Sequence, residues 1–243
     1  MVENIQADIS IELFNNLSKN YNLIPIYKVI KKGKKTPVSV YKNLKNHANT
    51  FLLESVEGNK NFARYSFIGF NPNKIIKTGD KEKFKKIDPL NKLEEQLENI
   101  KTPKLEGLPE FNSGAVGFIS YEAVSYFEPS INKIENQTSY FPESIFFITS
   151  SLIVFDNEDN KVFIISHADL RDSENFEKEY KKSIDEIRTI SQVVESSLDS
   201  EEEFKDKDNV SLKVNYLTPK EEFMNSVEET KKLIYSGEMI QAV

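Results

Sequence analysis

Residues 144–156, SIFFITSSLIVFD, and 161–167, KVFIISH, flank the four residues Asn157, Glu158, Asp159 and Asn160. Ile, Val and Phe dominate both runs, and branched or aromatic side chains of this kind suit a pleated, half-buried surface. Asn and Asp between the runs tolerate the left-handed backbone angles of a tight reversal. The pattern predicts an antiparallel hairpin, so the remaining segments have to be arranged around sheet.

C-terminal to the hairpin the apolar period becomes helical. A helix is predicted over Glu174 to Ser196, with Phe176, Tyr180, Ile184, Ile187 and Val194 along one side. The following stretch, SSLDSEEEFKDKD, is polar and charge-dense, and residues 198–209 read as an acidic interdomain linker or loop. Beyond it, VSLKVNYL (210–217) reads as a strand. A well-punctuated helix is predicted next, with Thr218 and Glu221 as a capping box, Pro219 at its first position and Gly237 just past its end. The expected organisation is therefore a region of residues 1–197, the linker, and a second region beginning at 210. The closing EMIQAV starts a new apolar element, which suggests a chain cut short of a complete domain.

N-terminal to the hairpin, Ile9, Leu13 and Leu17 recur every four residues and predict a short helix, followed by the strand LIPIYKVI (23–30). Thr36 and Pro37 resemble an N-cap and first helical position ahead of a face of Val40, Leu44 and Ala48. Three β-rich runs, FLLES (51–55), FARYSFIGF (62–70) and NKIIKTG (73–79), predict a small antiparallel meander, with Asn71 and Pro72 as a turn. Asp88 and Pro89 open another helix, whose Leu90, Leu93, Leu97 and Ile100 form a stripe that packs on a sheet. Gly114 and Gly117 in GAVG mark a bulge or a close backbone approach.

Composition narrows the function classes. The 243 residues are 38% hydrophobic and 29% charged, the range of globular chains rather than disordered ones. A formal charge of −7 opposes phosphate backbones, and the lysine clusters lack interleaved aromatics, so no nucleic-acid partner is expected. No run approaches the roughly 20 apolar residues of a membrane span, and no signal sequence opens the chain, so no membrane association is expected and the default address is the cytoplasm. Absence of cysteine excludes disulfides, thiolate metal sites and a cysteine nucleophile.

Catalytic chemistry is not visible in the motifs. The only histidines, His47 and His167, have no zinc-ligand spacing around them, and neither a phosphate-binding loop nor a nucleophile elbow occurs. Glu221 and Glu222 belong to a first helical turn, where the dipole favours negative charge. The one unusual feature is that the apolar run of residues 51–53 ends in Glu54 and Ser55 rather than in a plain turn. These two are either a solvated strand end or ligand contacts. Arg64, in a chain with arginine only at 64, 171 and 188, either pairs with Glu54 across neighbouring strands or meets a ligand.

Taken in order, TPVSVYKNL, FLLESVEG, ARYSFIGFNP, DPLNKLEEQL, GAVGFISYEAV and the run from YLTPKEEF to the end resemble the N-terminal part of the anthranilate synthase component I family. Aminodeoxychorismate synthase component I shares much of the pattern, and LLES favours the anthranilate branch. The resemblance implies an α+β fold, a four-layer α/β/β/α arrangement with two roughly orthogonal packed sheets, of which this chain holds the N-terminal part. It implies conversion of chorismate and ammonia to anthranilate and pyruvate, with Mg2+ as cofactor and a glutamine amidotransferase subunit as partner. It further implies an allosteric tryptophan pocket to which Leu53, Glu54, Ser55, Arg64 and Tyr65 contribute, while catalytic and magnesium-binding residues lie on later segments, leaving this chain inactive alone. Other readings of the isolated chain are an amino-acid-binding module and a structural fragment without activity.

Overall fold

The computed structural model describes residues 9–44, 47–54, 64–128, 130–131, 141–197 and 213–243. Two compact units divide it, Met1–Ser200 and Glu201–Val243. The predicted linker at 198–209 lies outside the described residues.

The first unit runs α1 (Ile11–Leu17), β1 (Leu23–Lys31), α2 (Pro37–Asn43), β2 (Phe51–Leu53), β3 (Tyr65–Gly69), β4 (Lys74–Thr78), α3 (Pro89–Leu97), β5 (Gly114–Ile119), a 3-10 turn (Tyr121–Ala123) and α4 (Val124–Phe127). It continues with β6 (Ser144–Thr149), β7 (Ser151–Asp156), β8 (Lys161–Asp169) and α5 (Phe176–Glu195). Among the described residues eight strands form two antiparallel sheets: five in the order β1-β8-β7-β3-β2 and three in the order β4-β6-β5. Mixed helix and antiparallel sheet is the α+β class expected.

The hairpin stands where the sequence places it. β7 and β8 pair from Ser151↔Ser166 to Asp156↔Lys161, and Asn160 takes the left-handed angle, φ 53°. The long run before it is not one strand, however. Residues 144–149 belong to the three-stranded sheet and 151–156 to the five-stranded sheet, and the chain changes sheet at Ser150. The expected meander of residues 50–79 is corrected in the same way. β2 and β3 pair, but after Asn71 (φ 47°) the chain leaves for the other sheet, and β4 pairs with β6. Alternation reports that a segment is extended and half-buried, and carries no information about which sheet receives it.

The main core fills one face of the five-stranded sheet beneath α1, α2 and α5, with Phe14, Ile24, Ile26, Val40, Leu44, Ile68, Phe155, Ile164, Ile187 and Val194 buried. The opposite face carries Leu152, Val154, Phe163 and Ile165, covered in part by Leu108 and Phe111 from the segment before β5. With both faces covered, β7 reads as an unbroken apolar run, which obscured the period of a half-buried strand.

Caps explain the helix starts. Ser10 accepts from the Leu13 N–H, Thr36 and Ser39 form a reciprocal capping box with Pro37 next in line, and Asp88 accepts from Leu90 and Asn91. In α1 the core residue is Phe14, whereas Leu13 is 41% exposed, because the helix begins at Ile11 and Ile9 lies outside its period. Ala48 likewise lies beyond α2. Along α5 the buried stripe is Ile187, Ile190 and Val194, and Phe176 at the first turn is exposed. Gly117 is a close approach: a Cβ there would stand 1.8 Å from the Ile145 carbonyl oxygen.

In the second unit α6 (Lys220–Tyr235) ends in a Schellman motif. Gly237, φ 81°, donates to Ile234 and Glu238 donates to Leu233. Its N-cap is Pro219 without a side-chain hydrogen bond, so the expected Thr218–Glu221 box does not form. Of the strand expected at 210–217, residues 213–217 are not strand and residues 210–212 lie outside the described residues. Isolated β-propensity in KVNYL is insufficient without a neighbouring strand to complete the ladder.

Candidate functional site

The end of β2 is where the residues singled out in the sequence fall. Leu53 is the last residue of β2 and pairs in register with Phe67. Alternation puts Phe51 and Leu53 on the sheet face that carries Tyr65, Phe67 and Val154. Aromatic rings floor this face: Phe67 meets Phe111 edge-on at 5.3 Å and Tyr65 at 6.2 Å between centroids. Leu53 itself is 46% exposed, so the apolar ledge is incompletely covered there. Glu54 follows as an exposed residue beyond the strand, and Ser55 lies outside the described residues.

Arg64 does not pair with Glu54. Its Nη2 donates to Asp156 Oδ2 at 2.6 Å and its Nε to Oδ1 at 3.1 Å. Glu158 and Asp159 stand at 3.4 and 3.2 Å from the same guanidinium. Three carboxylates of the β7–β8 hairpin thus surround one cation, with Asp156 almost completely buried. Hydrogen bonding to Asp156 raises the Arg64 pKa further above its already high value. Burial acts to raise the pKa of Asp156, but the hydrogen bonds from Arg64 and from the N–H groups of Asp159 and Glu158 outweigh it and leave the carboxyl below its usual range. The guanidinium also lies 5.0 Å from the centre of the Tyr65 ring, and so ties that ring to the hairpin. Asp156 was missed from sequence because its partner is 92 residues away; its position, the last strand residue before an Asn/Asp turn, was the available signal.

His167 is the other buried titratable group of note. Its Nδ1 lies 2.8 Å from the Ser150 carbonyl oxygen and its Nε2 3.1 Å from Asn112 Oδ1. Burial depresses its pKa to about 4, against the weaker raising effects of the Ser150 carbonyl and of Asp169. This is a structural histidine of the β8 end. Among the described residues no group of three or more His, Asp, Glu or Cys is arranged to hold a metal ion. Among the same residues no helix is long and apolar enough to cross a membrane.

The half-covered aromatic ledge, with Leu53 and Glu54 at its lip, belongs to a chain whose family comparison with known proteins makes plain. The chain belongs to the chorismate binding enzyme family, whose model matches residues 48–243. Over 91% of its length it is 34% identical to a protein of Schizosaccharomyces pombe described as "Probable anthranilate synthase component 1", and over 94% it is 31% identical to anthranilate synthase component 1 of Saccharomyces cerevisiae. These alignments cover 44% and 46% of the two relatives, so the chain spans about half the length of the curated relatives it matches. The crystal structure of anthranilate synthase component I from Streptococcus pneumoniae superposes with a TM-score of 0.50 at 27% identity, covering 86% of this chain and 46% of that one.

Proposed function

We propose that this chain is the N-terminal, regulatory and scaffold share of an anthranilate synthase component 1. The whole protein would convert chorismate and ammonia, released from glutamine by an amidotransferase partner, to anthranilate and pyruvate with Mg2+, in the cytoplasm. The two sheets are read as the inner layers of the four-layer α/β/β/α arrangement. The end of β2 is read as the place where the end product tryptophan binds.

The observation that carries the regulatory reading is the exposure of Leu53 on a face that also carries the rings of Tyr65, Phe67 and Phe111. An indole laid on Leu53 and Phe67 would complete the cover of that ledge. A free amino acid also brings an ammonium and a carboxylate, and each needs a partner when withdrawn from water. Glu54, by carboxylate or backbone carbonyl, would receive the ammonium; Ser55, by hydroxyl or backbone N–H, would donate to the carboxylate. Arg64, already ringed by three carboxylates, serves this site by fixing Tyr65 and the hairpin rather than by holding the ligand. Inhibition follows if tryptophan prefers the less active arrangement of the whole protein, since only differential affinity shifts such an equilibrium. Tryptophan titration of chorismate-dependent anthranilate formation by the full-length protein tests the reading: inhibition that saturates supports it, and indifference to millimolar tryptophan overturns it.

A further inference from the structure

A cavity of about 220 Å3 opens in the first unit, well away from the end of β2. The register row of Leu53 runs through Phe67 and Val154 to Phe163 on β8, whereas the cavity involves Asp169, six residues further along that strand, about 20 Å at ~3.3 Å per residue. Leu23, Leu97, Ile100 and Ile148 supply its apolar lining, from the start of β1, the end of α3, the segment that follows it and the end of β6. Asp169 and Arg171 supply its charge.

The two charged groups are fixed side by side. Arg171 Nε donates to Asp169 Oδ1 at 2.9 Å and Nη2 to Oδ2 at 2.6 Å, and the Arg171 backbone N–H adds a third bond to Oδ1 at 3.2 Å. This fork uses Nε and Nη2, so Nη1 keeps its N–H groups for a second anion, and each Asp169 oxygen keeps acceptor capacity for a second cation. Both side chains are about 30% exposed, at the boundary between cavity and solvent.

The walls are set before any ligand arrives. Ser150 Oγ donates to Asn73 Oδ1 at 3.0 Å, and the Asn73 N–H donates to Ile148 at 2.9 Å. Asn22 and Leu23 both donate to the Lys101 carbonyl, which anchors the segment after α3 to the start of β1. Such preorganisation lowers the ordering cost of binding.

We propose that this cavity binds a free α-amino acid whose apolar side chain is no larger than one ring. A zwitterion offers its carboxylate to Arg171 and its ammonium to Asp169, so both charges are met. A plain carboxylic acid is opposed by Asp169 and a plain amine by Arg171. Leu23, Leu97, Ile100 and Ile148 receive the side chain. The volume is below the roughly 300–1,000 Å3 of drug-sized pockets, which limits the occupant to a small metabolite. The inference is independent of the tryptophan reading, because the two places share no residue.

Calorimetric titration of the 243-residue chain with L-leucine and L-phenylalanine, beside 4-methylvalerate and isoamylamine as one-charge analogues of leucine, tests it. Saturable binding of at least one amino acid, about tenfold tighter than either analogue, is expected. Arg171→Gln is expected to weaken that binding about tenfold, and Ile100→Trp, which fills the apolar lining, to abolish it; circular dichroism checks that both variants fold. Ser55→Phe is expected to leave it unchanged, which separates this cavity from the end of β2. No saturation by about 10 mM ligand, equal affinity for the analogues, or binding unaffected by Arg171→Gln and Ile100→Trp overturns the proposal.

Discussion

Arg64 and Asp156 form a two-pronged ion pair between the residue preceding β3 and the last residue of β7, with 2.6 Å between Nη2 and Oδ2. The carboxylate is 1% exposed and the guanidinium side chain 36%, so the pair closes the end of the ladder from the solvent side. Removing the cation leaves a buried carboxylate with only the N–H groups of Glu158 and Asp159. Arg64→Ala is therefore expected to lower the urea midpoint of unfolding, and Arg64→Lys to recover part of the loss, because lysine supplies the charge without the fork. Equal midpoints for wild type and Arg64→Ala would show that the pair contributes nothing to stability.

Titration of His167 sets a pH dependence of opposite origin to that of a gained ion pair. Its folded pKa, about 4, lies below the ordinary value of 6.5, so the fold favours the neutral ring. That contribution is fully present above pH 6.5 and is lost as pH falls towards 4. The loss should approach about 3 kcal/mol at the acid end, by the linkage between a pKa difference and folding free energy. Urea unfolding across this window should show the decline in wild type and a flatter profile in His167→Gln; superimposable profiles would rule the histidine out as its source.

Two glycines separate backbone from side-chain crowding. A Cβ at Gly117 meets the Ile145 carbonyl oxygen at 1.8 Å, and a backbone atom in the middle of a ladder has no room to retreat. A Cβ at Gly69 meets the Phe51 ring at 2.1 Å, but that ring belongs to a partly buried side chain on an edge strand and can turn aside. Gly117→Ala is expected to cost about 3 kcal/mol or more and Gly69→Ala about 1 kcal/mol, measured by denaturant unfolding. The reverse order would show that the β5–β6 contact relaxes more readily than its geometry allows.

For the proposed tryptophan site, Ser55→Phe in the full-length protein should fill the pocket without reaching the chemistry. Loss of one charge-assisted bond predicts at least about a tenfold rise in the tryptophan concentration for half-inhibition, with kcat for anthranilate formation changed by less than about twofold. An unchanged inhibition curve would place the effector elsewhere.

Local signals were legible where neighbours in sequence supply the physics. The turn at Asn157–Asn160, the Pro37 and Pro89 helix starts and the Gly237 helix end all depend on backbone angles or caps within a few residues. The departures of β4 from β3 at Asn71 and of β7 from β6 at Ser150 were not legible, because both sheets demand the same extended, apolar segments. At the candidate site, Arg64 stood out by residue type, Leu53 and Tyr65 came from the family resemblance, and the sheet face shared by Leu53 and Tyr65 follows from alternation. The partner of Arg64 was not found, since Glu54 and Asp156 are equivalent carboxylates until strand order is known.

The single residue Ser150 between β6 and β7 has a mechanical consequence. Thr149 Oγ1 donates to the Ser151 carbonyl, the Ser150 hydroxyl donates to Asn73, and the Ser150 carbonyl faces His167 on the neighbouring strand. Torque on the three-stranded ribbon has no slack to dissipate in this short splice. It passes directly into β7, at the middle of the five-stranded ribbon, so twisting either one drags the other along.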